Sequence, residues 1–391
     1  MIRLHSEAEN IKVPQGKARD WPTPSQHVRM IHLDMGRKYW EPEYIADFIR
    51  QLSWLKMNTL FMHLQEDEAF RLHDPIKYCK TVDSKQICLA PPEGHYTKQT
   101  IQTFEQIATE HHINIIPALE IPSHAQPLST YFDIASTKHD PTCIDPGFGS
   151  TPGHTIDLLD GKVHGLMKTL FVHFNSWFDG PYIGLGGDEV SDAVRECGRT
   201  QNYSKIFKED AVDKFVDLMN GVAGSVRATD LPKRSWIYSN VERWSRLAYH
   251  KYPNAPDALN KNIVIIPWEG YAFDWAALGF DTINVRWFSD HLYFAFNTLF
   301  ITVPNSYGIY HGQTSVATGT NREFGTGIAT WNDKSQYAAD EWIEHHMRVP
   351  RGVLANRTWN NGRVADSLDD FKQDLTEIGD PPGVVKPSRE V

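Results

Sequence analysis

The 391-residue chain lacks several features that would place it in other classes of protein. No run of about 18 apolar residues occurs, so the sequence predicts no membrane span. The N-terminal stretch MIRLHSEAENIKVPQGK has no apolar core and is not typical of a signal peptide. The compartment stays open, because the protein is either intracellular or secreted after removal of a leader.

Basic residues are too few for a protein that binds nucleic acid. The chain has 39 Lys and Arg against 49 Asp and Glu, which gives a formal net charge of −10. A nucleic-acid-binding face needs a concentration of positive charge to neutralise phosphates. We therefore expect no nucleic-acid partner, whereas the sequence leaves a homodimer open.

Cysteine is also scarce, and its spacing fits no metal site. The four cysteines are Cys79, Cys88, Cys143 and Cys197. Cys79 and Cys88 are near enough in sequence to close a small disulfide loop, but free buried thiols are an equal alternative. Adjacent histidines at 111–112 and 345–346 would point to different faces of a helix, and no nucleotide-binding loop occurs. The sequence predicts neither a metal nor another cofactor.

Aromatic residues, in contrast, are abundant, with 12 Trp and 15 Tyr. Sugar-binding sites need flat apolar faces with polar edges, which these side chains provide. Core packing is the alternative for any one of them.

Short apolar runs alternate with amphipathic helical stretches along most of the chain. The eight predicted strands are Val28–Met35, Thr59–Leu64, Ile113–Leu119, Tyr182–Leu185, Ser235–Ser239, Ile263–Trp268, Thr282–Trp287 and Gly327–Trp331. The clearest predicted helices are Pro42–Met57, Thr97–His112, Leu158–Phe178 and Asp210–Arg227. This alternation indicates a parallel sheet covered on both faces. Eight such units are typical of a (β/α)8 TIM barrel, so the predicted fold class is α/β.

The units are unevenly spaced along the chain. The third and fourth strands are separated by a Pro- and Gly-rich stretch, Ser123–Gly153, and such long loops usually shape the active site at the C-terminal face of a barrel. We expect an N-terminal extension over residues 1–27, a catalytic barrel over residues 28–378 and a tail over residues 379–391.

Polar and aromatic side chains stand where the predicted strands end. They are Asp34 and Arg37, then His63, Glu66 and Asp67, then Glu120 and His124, then Asp188 and Glu189, then Trp268 and Glu269, then Trp287 and Tyr293, and finally Trp331 and Asp333. Because the carboxyl ends of parallel strands meet at one rim, these groups should converge there. A barrel with only a structural role has no need of that density, so the pattern predicts an active site.

The strongest single motif is Gly-Gly-Asp-Glu at 186–189. Two glycines allow the backbone to turn at the strand end and to approach a ligand closely. Two adjacent carboxyl groups can shift each other's pKa, so that one stays ionised while the other keeps a proton. Glycoside cleavage needs this division of roles. The alternative is an acidic pair at the start of a helix.

Together these motifs resemble glycoside hydrolase family 20, the β-N-acetylhexosaminidases. The resemblance extends from about Val28 to about His346 in the order HLDMGR, HLQEDEAFRL, IPALEIPSHA, GGDEV, WEG and WND. It implies a barrel that cleaves terminal β-linked N-acetylglucosamine or N-acetylgalactosamine from an oligosaccharide or glycoconjugate.

The resemblance also implies a role for each member of the acidic pair. Glu189 would protonate the leaving oxygen, and Asp188 would orient the substrate's acetamido group. The acetamido oxygen would attack the anomeric carbon, so that an oxazolinium forms and the configuration is retained, as in the substrate-assisted exceptions among glycosidases. Because this nucleophile is already tethered to the sugar, little entropy is lost in reaching the transition state.

Further roles follow from the resemblance alone. Tyr293 would bind the acetamido oxygen, and Arg37 would hold the 3- and 4-hydroxyls of the sugar. The residues expected to wall the pocket are Trp268, Trp287 and Trp331. His124 and Asp67 would support the protonation of the acid, with Glu120 as a further supporting residue, whereas His63 and Glu66 would act more remotely. Two alternatives remain, namely that Arg37 only pairs with Asp34 and that His124 is a structural loop histidine.

The sequence departs from the family pattern at several positions. Gly184 stands where a His or Asn is usual, Glu66 to Glu68 replace two Asp and a Gln, Ala295 replaces an Asp, and Asp333 replaces a Glu. Most members also carry an accessory α/β domain before the barrel, whereas about 27 residues precede it here. The changes at Ala295 and Asp333 remove charge and bulk near the sugar's 4- and 6-hydroxyls. We therefore expect that 6-O-sulfo-N-acetylglucosamine is accepted.

Two other functions are compatible with the sequence. One is a carbohydrate-binding barrel that has lost catalysis. The other is a barrel glycosidase with two separated carboxylates, such as Glu189 and Glu269, which would have no requirement for an N-acetyl group.

Overall fold

The structure is a computed structural model. It describes residues 26–135, 154–158, 160–188, 210–229, 234–239, 258–267, 272–285, 292–296, 301–312, 322–333, 338–360, 364–382 and 384. Among the described residues, no helix combines the length and apolar character needed to cross a membrane.

Eight parallel strands form the centre of the molecule. They are β1 (Val28–Asp34), β2 (Thr59–His63), β5 (Asn114–Ile121), β6 (Tyr182–Gly186), β7 (Arg234–Ser239), β8 (Val264–Pro267), β9 (Thr282–Asn284) and β12 (Glu323–Trp331). Each strand pairs in parallel with the next, and β12 pairs back onto β1 from Val28–Gly325 to Leu33–Thr330. This closed ring confirms the predicted barrel.

The seventh position of the barrel differs from the prediction. β12 pairs with β9 through its first residues and with a further parallel strand, β10 (Tyr293–Phe296), through its last. β10 continues into β11 (Ile301–Thr302), which returns antiparallel to it. The predicted strand Thr282–Trp287 is too long, because β9 ends at Asn284. Trp287 lies outside the described residues.

A two-stranded hairpin follows β2 and was not predicted. It consists of β3 (Cys79–Val82) and β4 (Lys85–Cys88), joined by Asp83 and Ser84 at φ angles of 48° and 62°. Positive φ at both central residues is typical of the tight turn that matches strand twist. A disulfide joins Cys79 to Cys88, which decides between the two alternatives left open for this pair. Cys143 and Cys197 lie outside the described residues.

Nine helices are defined in the described residues. They are α1 (Pro42–Trp54), α2 (Lys98–Glu110), α3 (Gln126–Phe132), α4 (Gly161–Asn175), α5 (Asp210–Arg227), α6 (Ala272–Ala277), α7 (Ser306–His311), α8 (Asp340–Asn360) and α9 (Leu368–Ile378). The four predicted helices are present, and three are shorter than predicted. Capping explains the starts of two, since Thr97 accepts the N–H of Thr100 and Asp160 accepts that of Lys162.

Two sets of buried side chains hold the barrel together. Along β1, Met30 faces the barrel interior, whereas its neighbour Ile31 packs outward among the helices. The interior set also includes Phe61, Ile116 and Trp331. In the strands whose side chains the structure describes, both faces are buried. Such strands need near-continuous apolar sequence, and this is the feature that predicted the fold.

Candidate functional site

Five side chains predicted for the site come from strand ends at one rim. Asp34 and His63 end β1 and β2, Glu120 lies near the end of β5, Asp188 follows β6, and Trp331 ends β12. β1 lies next to both β2 and β12 in the ring, so these ends are neighbours. The rim is the C-terminal face, where barrels carry their active sites.

Arg37 lies among four carboxyl groups. Its Nη1 is 3.0 Å from both Asp34 Oδ2 and Glu66 Oε1, and its Nε is 3.6 Å from Asp333 Oδ1 and 4.0 Å from Glu68 Oε2. Although burial opposes the charge, Glu66 and then Asp34 hold the pKa of Arg37 well above its usual range. Arg37 thus pairs with Asp34, as one of the two alternatives held. It also pairs with Glu66, which follows β2, and lies close to Asp333, which follows β12.

Glu66 is the central acid of this network. Its side chain is fully buried, with His63 Nε2 at 3.0 Å from Oε1 and His124 Nδ1 at 2.9 Å from Oε2. Burial alone would raise the pKa of Glu66, but the charge of Arg37 and the contacts with His124 hold it well below its usual range. Glu66 is therefore an ionised acceptor in the interior of the rim.

Asp67 has a different partner from the one that the sequence suggested. His124 Nδ1 is 4.0 Å from Asp67 Oδ2 and thus nearer to Glu66. Asp67 instead binds the ring of His154 and accepts the N–H of Gln126 at 3.2 Å. His154 stands against His124, with ring centroids 4.5 Å apart. Sequence reasoning missed His154 because it lies 30 residues from His124 in a loop, with no motif of its own.

Glu120 binds the backbone of Asp188. The backbone N–H of Asp188 donates to Glu120 Oε1 at 2.8 Å, and both residues are buried. Burial, and then the negative charge of Asp188, raise the pKa of the Glu120 carboxyl well above its usual range. Glu120 Oε2 lies 3.9 Å from His63 Nδ1. The raised pKa favours the neutral form of Glu120, which would lessen repulsion at this end of the rim between Asp188 and Glu66.

The glycines before Asp188 have the geometry that the motif predicted. Gly186 and Gly187 have φ angles of 80° and 104°, a region that favours glycine. A Cβ at Gly186 would also collide with the Glu120 carboxylate. At Gly184, a Cβ would lie 2.5 Å from Ala118 Cβ and 2.9 Å from Phe61 Cζ. The departure at Gly184 thus follows from a barrel interior that Phe61 already fills.

Trp331 and Asp333 lie on the β12 side of the rim. Trp331 is buried, and the guanidinium carbon of Arg37 is 5.4 Å from its ring centroid. Between them, Asn332 donates its backbone N–H to Asp34 Oδ2 at 2.9 Å and its side-chain N–H to Asp34 O at 2.7 Å. These bonds join the first and last strands of the ring. Asp333 is about one-third exposed, so it is accessible from solvent beside Arg37.

Four other residues were predicted for the site. Glu189, Trp268 and Trp287 lie outside the described residues, as does the alternative carboxylate Glu269. Tyr293 begins β10 opposite Ala329 of β12. Because β12 also pairs with β1, one strand separates the backbone of Tyr293 from β1. Ala295, two residues on, is buried opposite Trp331.

Two groups of described residues bring three metal-ligating atoms within 4.8 Å of one another. They are Asp67 with His124 and His154, and His73 with Cys79 and Cys88. In the first, Asp67 is bonded to His154 and His124 to Glu66. In the second, the two sulfurs are joined to each other. The contacts present thus account for both groups without an ion.

Comparison with known proteins finds relatives with hexosaminidase names. The beta-hexosaminidase of Vibrio furnissii is 25% identical over 302 residues, which cover 72% of this chain and 46% of that protein. The Beta-N-acetylhexosaminidase of Cellulomonas fimi is 22% identical over 208 residues, which cover 53% of this chain and 41% of that protein. The chain thus spans less than half the length of these relatives.

The fold matches that of solved structures. A GH20 exo beta-N-acetylglucosaminidase from Vibrio harveyi, solved with N-acetylglucosamine, superposes with a TM-score of 0.66 at 16% identity. The match covers 91% of this chain and 58% of that one. The family model described as "Glycosyl hydrolase family 20, catalytic domain" matches residues 27–346. The chain therefore belongs to glycosyl hydrolase family 20.

Proposed function

We propose that the chain is an exo-acting β-N-acetylhexosaminidase that removes a terminal β-linked N-acetylhexosamine by substrate-assisted catalysis. The observation that carries the proposal is the convergence of Asp188, Arg37 and His124 at one buried rim, in a chain of this family. The relatives compared above carry hexosaminidase names. Its partner is an oligosaccharide or glycoconjugate substrate.

The reaction divides into two steps. In the first, Glu189 gives its proton to the glycosidic oxygen, while the acetamido oxygen forms a bond to the anomeric carbon and the bond to the leaving group breaks. Asp188 accepts the amide N–H and stabilises the positive charge on the resulting oxazolinium. In the second, Glu189 takes a proton from water while the water oxygen forms a bond to the anomeric carbon and the bond between that carbon and the acetamido oxygen breaks, which restores the neutral acetamido group. Two inversions give overall retention.

The contacts around Asp188 suit this role. A carboxylate that stabilises a developing cation must stay ionised and must not rotate. The Glu120 carboxyl holds the Asp188 backbone, and Gly186 and Gly187 allow the chain to turn there. We propose that the raised pKa of Glu120 lets this carboxyl take up a proton, so that Asp188 keeps its negative charge.

Arg37 and His124 take roles on either side of Glu66. Arg37 is held by Glu66 and Asp34 so that its guanidinium can donate to the hydroxyls of the sugar. His124 is fixed by the carboxylate of Glu66 at Nδ1. A carboxylate on one ring nitrogen sets the tautomer that the other nitrogen presents, and we propose that this supports the protonation of Glu189.

A comparison of matched substrates tests the mechanism. We expect hydrolysis of 4-nitrophenyl β-N-acetylglucosaminide with the β-anomer as the first product by NMR, and no hydrolysis of the corresponding β-glucoside. Cleavage of both at similar rates would instead favour two separated carboxylates such as Glu189 and Glu269. The variant Glu189→Gln should lose activity, and an unchanged rate would refute its assignment as the acid.

We also propose that the site accepts a 6-O-sulfated N-acetylglucosamine. Ala295 contributes no charge beside Trp331, and Asp333 is held near the guanidinium of Arg37. An anionic substituent would therefore meet less repulsion than in a site with an Asp at position 295. Turnover of 4-nitrophenyl glycosides with and without the 6-sulfate tests this. A strong preference for the unsulfated sugar would refute it.

A further inference from the structure

The base of the β3–β4 hairpin lies beside two histidines. Cys79 and Cys88 face each other at the first and last positions of the hairpin, and one ring nitrogen of His73 lies within 4.8 Å of both sulfurs. The ring of His95 stands against that of His73, with centroids 4.2 Å apart. Two cysteines and two histidines are a common ligand set of structural zinc sites. We call these four side chains the hairpin cluster.

Both histidines of the hairpin cluster keep a ring nitrogen for a ligand. His95 donates from Nδ1 to the backbone oxygen of Pro91 at 2.9 Å, so the lone pair of its neutral ring is on Nε2. Metal-binding histidines usually make such a bond with their other ring nitrogen. In His73, Nδ1 is buried and has no hydrogen-bond partner among the described residues. Buried polar atoms seldom lack a partner, and a metal ligand in this cluster would account for this one.

Backbone contacts hold the hairpin cluster together without the disulfide. The backbone N–H of His73 donates to the oxygen of Tyr96 at 2.9 Å, which keeps the segments of His73 and His95 side by side. Next to the cysteines, the N–H of Leu89 donates to the oxygen of Tyr78 at 2.9 Å, and both of these side chains are buried. The strand pairing continues from the cysteines to the turn of the hairpin. Reduction of the disulfide should therefore leave two thiols that still face each other.

The hairpin cluster is accessible from solvent. His73, Cys88 and His95 line a cavity of about 880 Å³, and the lining also includes the exposed side chain of Gln86. Both cysteines are half-buried. A reductant can therefore reach the disulfide, and an ion has an entry path to the ring nitrogens.

We propose that the hairpin cluster binds Zn²⁺ when its disulfide is reduced. Both thiolates and His73 are ligands, and His95 takes the fourth position. The disulfide takes two electrons and two protons from a dithiol, which itself becomes a disulfide, and Zn²⁺ then replaces the two thiol protons. Thiolate and imidazole favour Zn²⁺ over a harder ion such as Mg²⁺. The base of the hairpin is thus closed by a covalent bond under oxidising conditions and by the ion under reducing conditions.

Metal binding to the full chain tests the proposal. The chain is reduced with a water-soluble phosphine, which replaces the dithiol and is oxidised to its oxide with oxygen from water. Co²⁺ is then titrated in place of Zn²⁺, because cobalt held by thiolates in a tetrahedral site has strong visible absorption bands. We expect these bands to saturate at about one Co²⁺ per chain and to disappear when Zn²⁺ is added. Bands that are as strong before reduction, or missing after it, would overturn the proposal.

Two double variants locate the ion. Cys79→Ser with Cys88→Ser should abolish the cobalt bands. Cys143→Ser with Cys197→Ser is the matched control, because it removes the same number of thiols, and it should keep the bands. The reduced parent and the first variant both lack the disulfide of the hairpin, so a difference between them does not come from its loss. Bands that persist in the first variant, or vanish in the control, would overturn the proposal.

The histidines are tested by competition for Zn²⁺ with a chelator. His73→Gln and His95→Gln should each weaken binding to the reduced chain by about a hundredfold, since each removes a ligand. His345→Gln is the control, because His345 is exposed on α8, and it should keep the parental affinity. Every variant keeps the ligating group at Asp67, so binding there gives the same background throughout. Parental affinity in either variant of the hairpin cluster would contradict the proposed ligand set.

Discussion

Two histidine–carboxylate pairs in this chain have the same length and different surroundings. His124 Nδ1 lies 2.9 Å from Glu66 Oε2 at the rim, and His173 Nε2 lies 2.9 Å from Asp74 Oδ2 beside the hairpin. Glu66 is fully buried, whereas the Asp74 and His173 side chains are 16% and 17% exposed. Distance alone therefore does not distinguish the two pairs.

The surroundings set the chemistry of each pair. The charge of Arg37 and the contacts with two histidines depress the pKa of Glu66 strongly against its burial. The pKa of Asp74 is lowered against a smaller burial effect, first by the backbone N–H groups of Lys77 and Ile76. Burial, and then Lys77, lower the pKa of His173. The first pair belongs to a network of charges, whereas the second connects the loop between β2 and β3 to α4.

The largest expected effect comes from Glu66→Gln. The change removes the carboxylate that Arg37, His63 and His124 share, and it leaves Arg37 with less compensation for burial. We expect kcat/KM on 4-nitrophenyl β-N-acetylglucosaminide to fall by at least about a thousandfold, with a loss of about 3 kcal/mol in the free energy of unfolding. Activity within tenfold of the parent would show that the network has no role in catalysis.

A smaller effect is expected for His124→Gln. Because Gln cannot change its charge, the step that depends on the protonation of the acid should slow by about a hundredfold, and the pH profile of kcat should change shape. His173→Gln is the matched control on the partly buried pair of His173 and Asp74. It should keep the parental pH profile, and equal losses in the two variants would remove the distinction between the pairs.

Glu120→Gln tests whether the pKa of the carboxyl beside Asp188 is raised. The folded-state pKa of Glu120 is raised, so its stabilising contribution is complete below the unfolded value and is lost as pH rises toward the folded value. Gln does not titrate, so the variant should gain stability relative to the parent above about pH 4.5, by at most about 1.4 kcal/mol per pH unit. Denaturant unfolding between pH 4 and 8 measures this. If the difference in the free energy of unfolding between variant and parent does not change with pH, the raised pKa of Glu120 is contradicted.

The smallest effect is expected for Asp74→Asn. A partly exposed contact between a histidine and a carboxylate contributes about 0–1 kcal/mol, so the free energy of unfolding should fall by no more than that, and kcat/KM should change by less than about twofold. Urea unfolding and steady-state kinetics check both values. A loss of activity as large as that of Glu66→Gln would show that the pair of His173 and Asp74 also serves catalysis.

The barrel could be predicted because its strands are buried on both faces. Their apolar runs are visible in the sequence whatever the tertiary contacts are. The β3–β4 hairpin gives no such signal, since most of its residues are exposed. Helix α8 was expected only around His345 and His346 and was given no bounds, and it carries Pro350 in its interior, a residue that usually ends a helical pattern.

The positions of the candidate site residues could be predicted where they depend on strand ends. Arg37, Glu120 and Asp188 could be assigned to the rim because parallel strands end together. The choice between Glu66 and Asp67 could not be made from the sequence, because both follow the last strand residue, His63, and the turn decides which one faces His124. His154 lies between α3 and α4, and its contact with Asp67 depends on how that connection folds back onto the rim. The expected boundaries at residues 27 and 378 stay predictions.

The most direct measurement replaces the substrate's acetamido group. In a series of 4-nitrophenyl β-glycosides carrying acetamido, fluoroacetamido, difluoroacetamido and trifluoroacetamido groups, each fluorine draws electrons from the amide oxygen and weakens it as a nucleophile. If that oxygen attacks the anomeric carbon beside Asp188, kcat/KM should fall at each step, by at least about a hundredfold over the series. A rate that is the same for all four substrates would contradict attack by the amide.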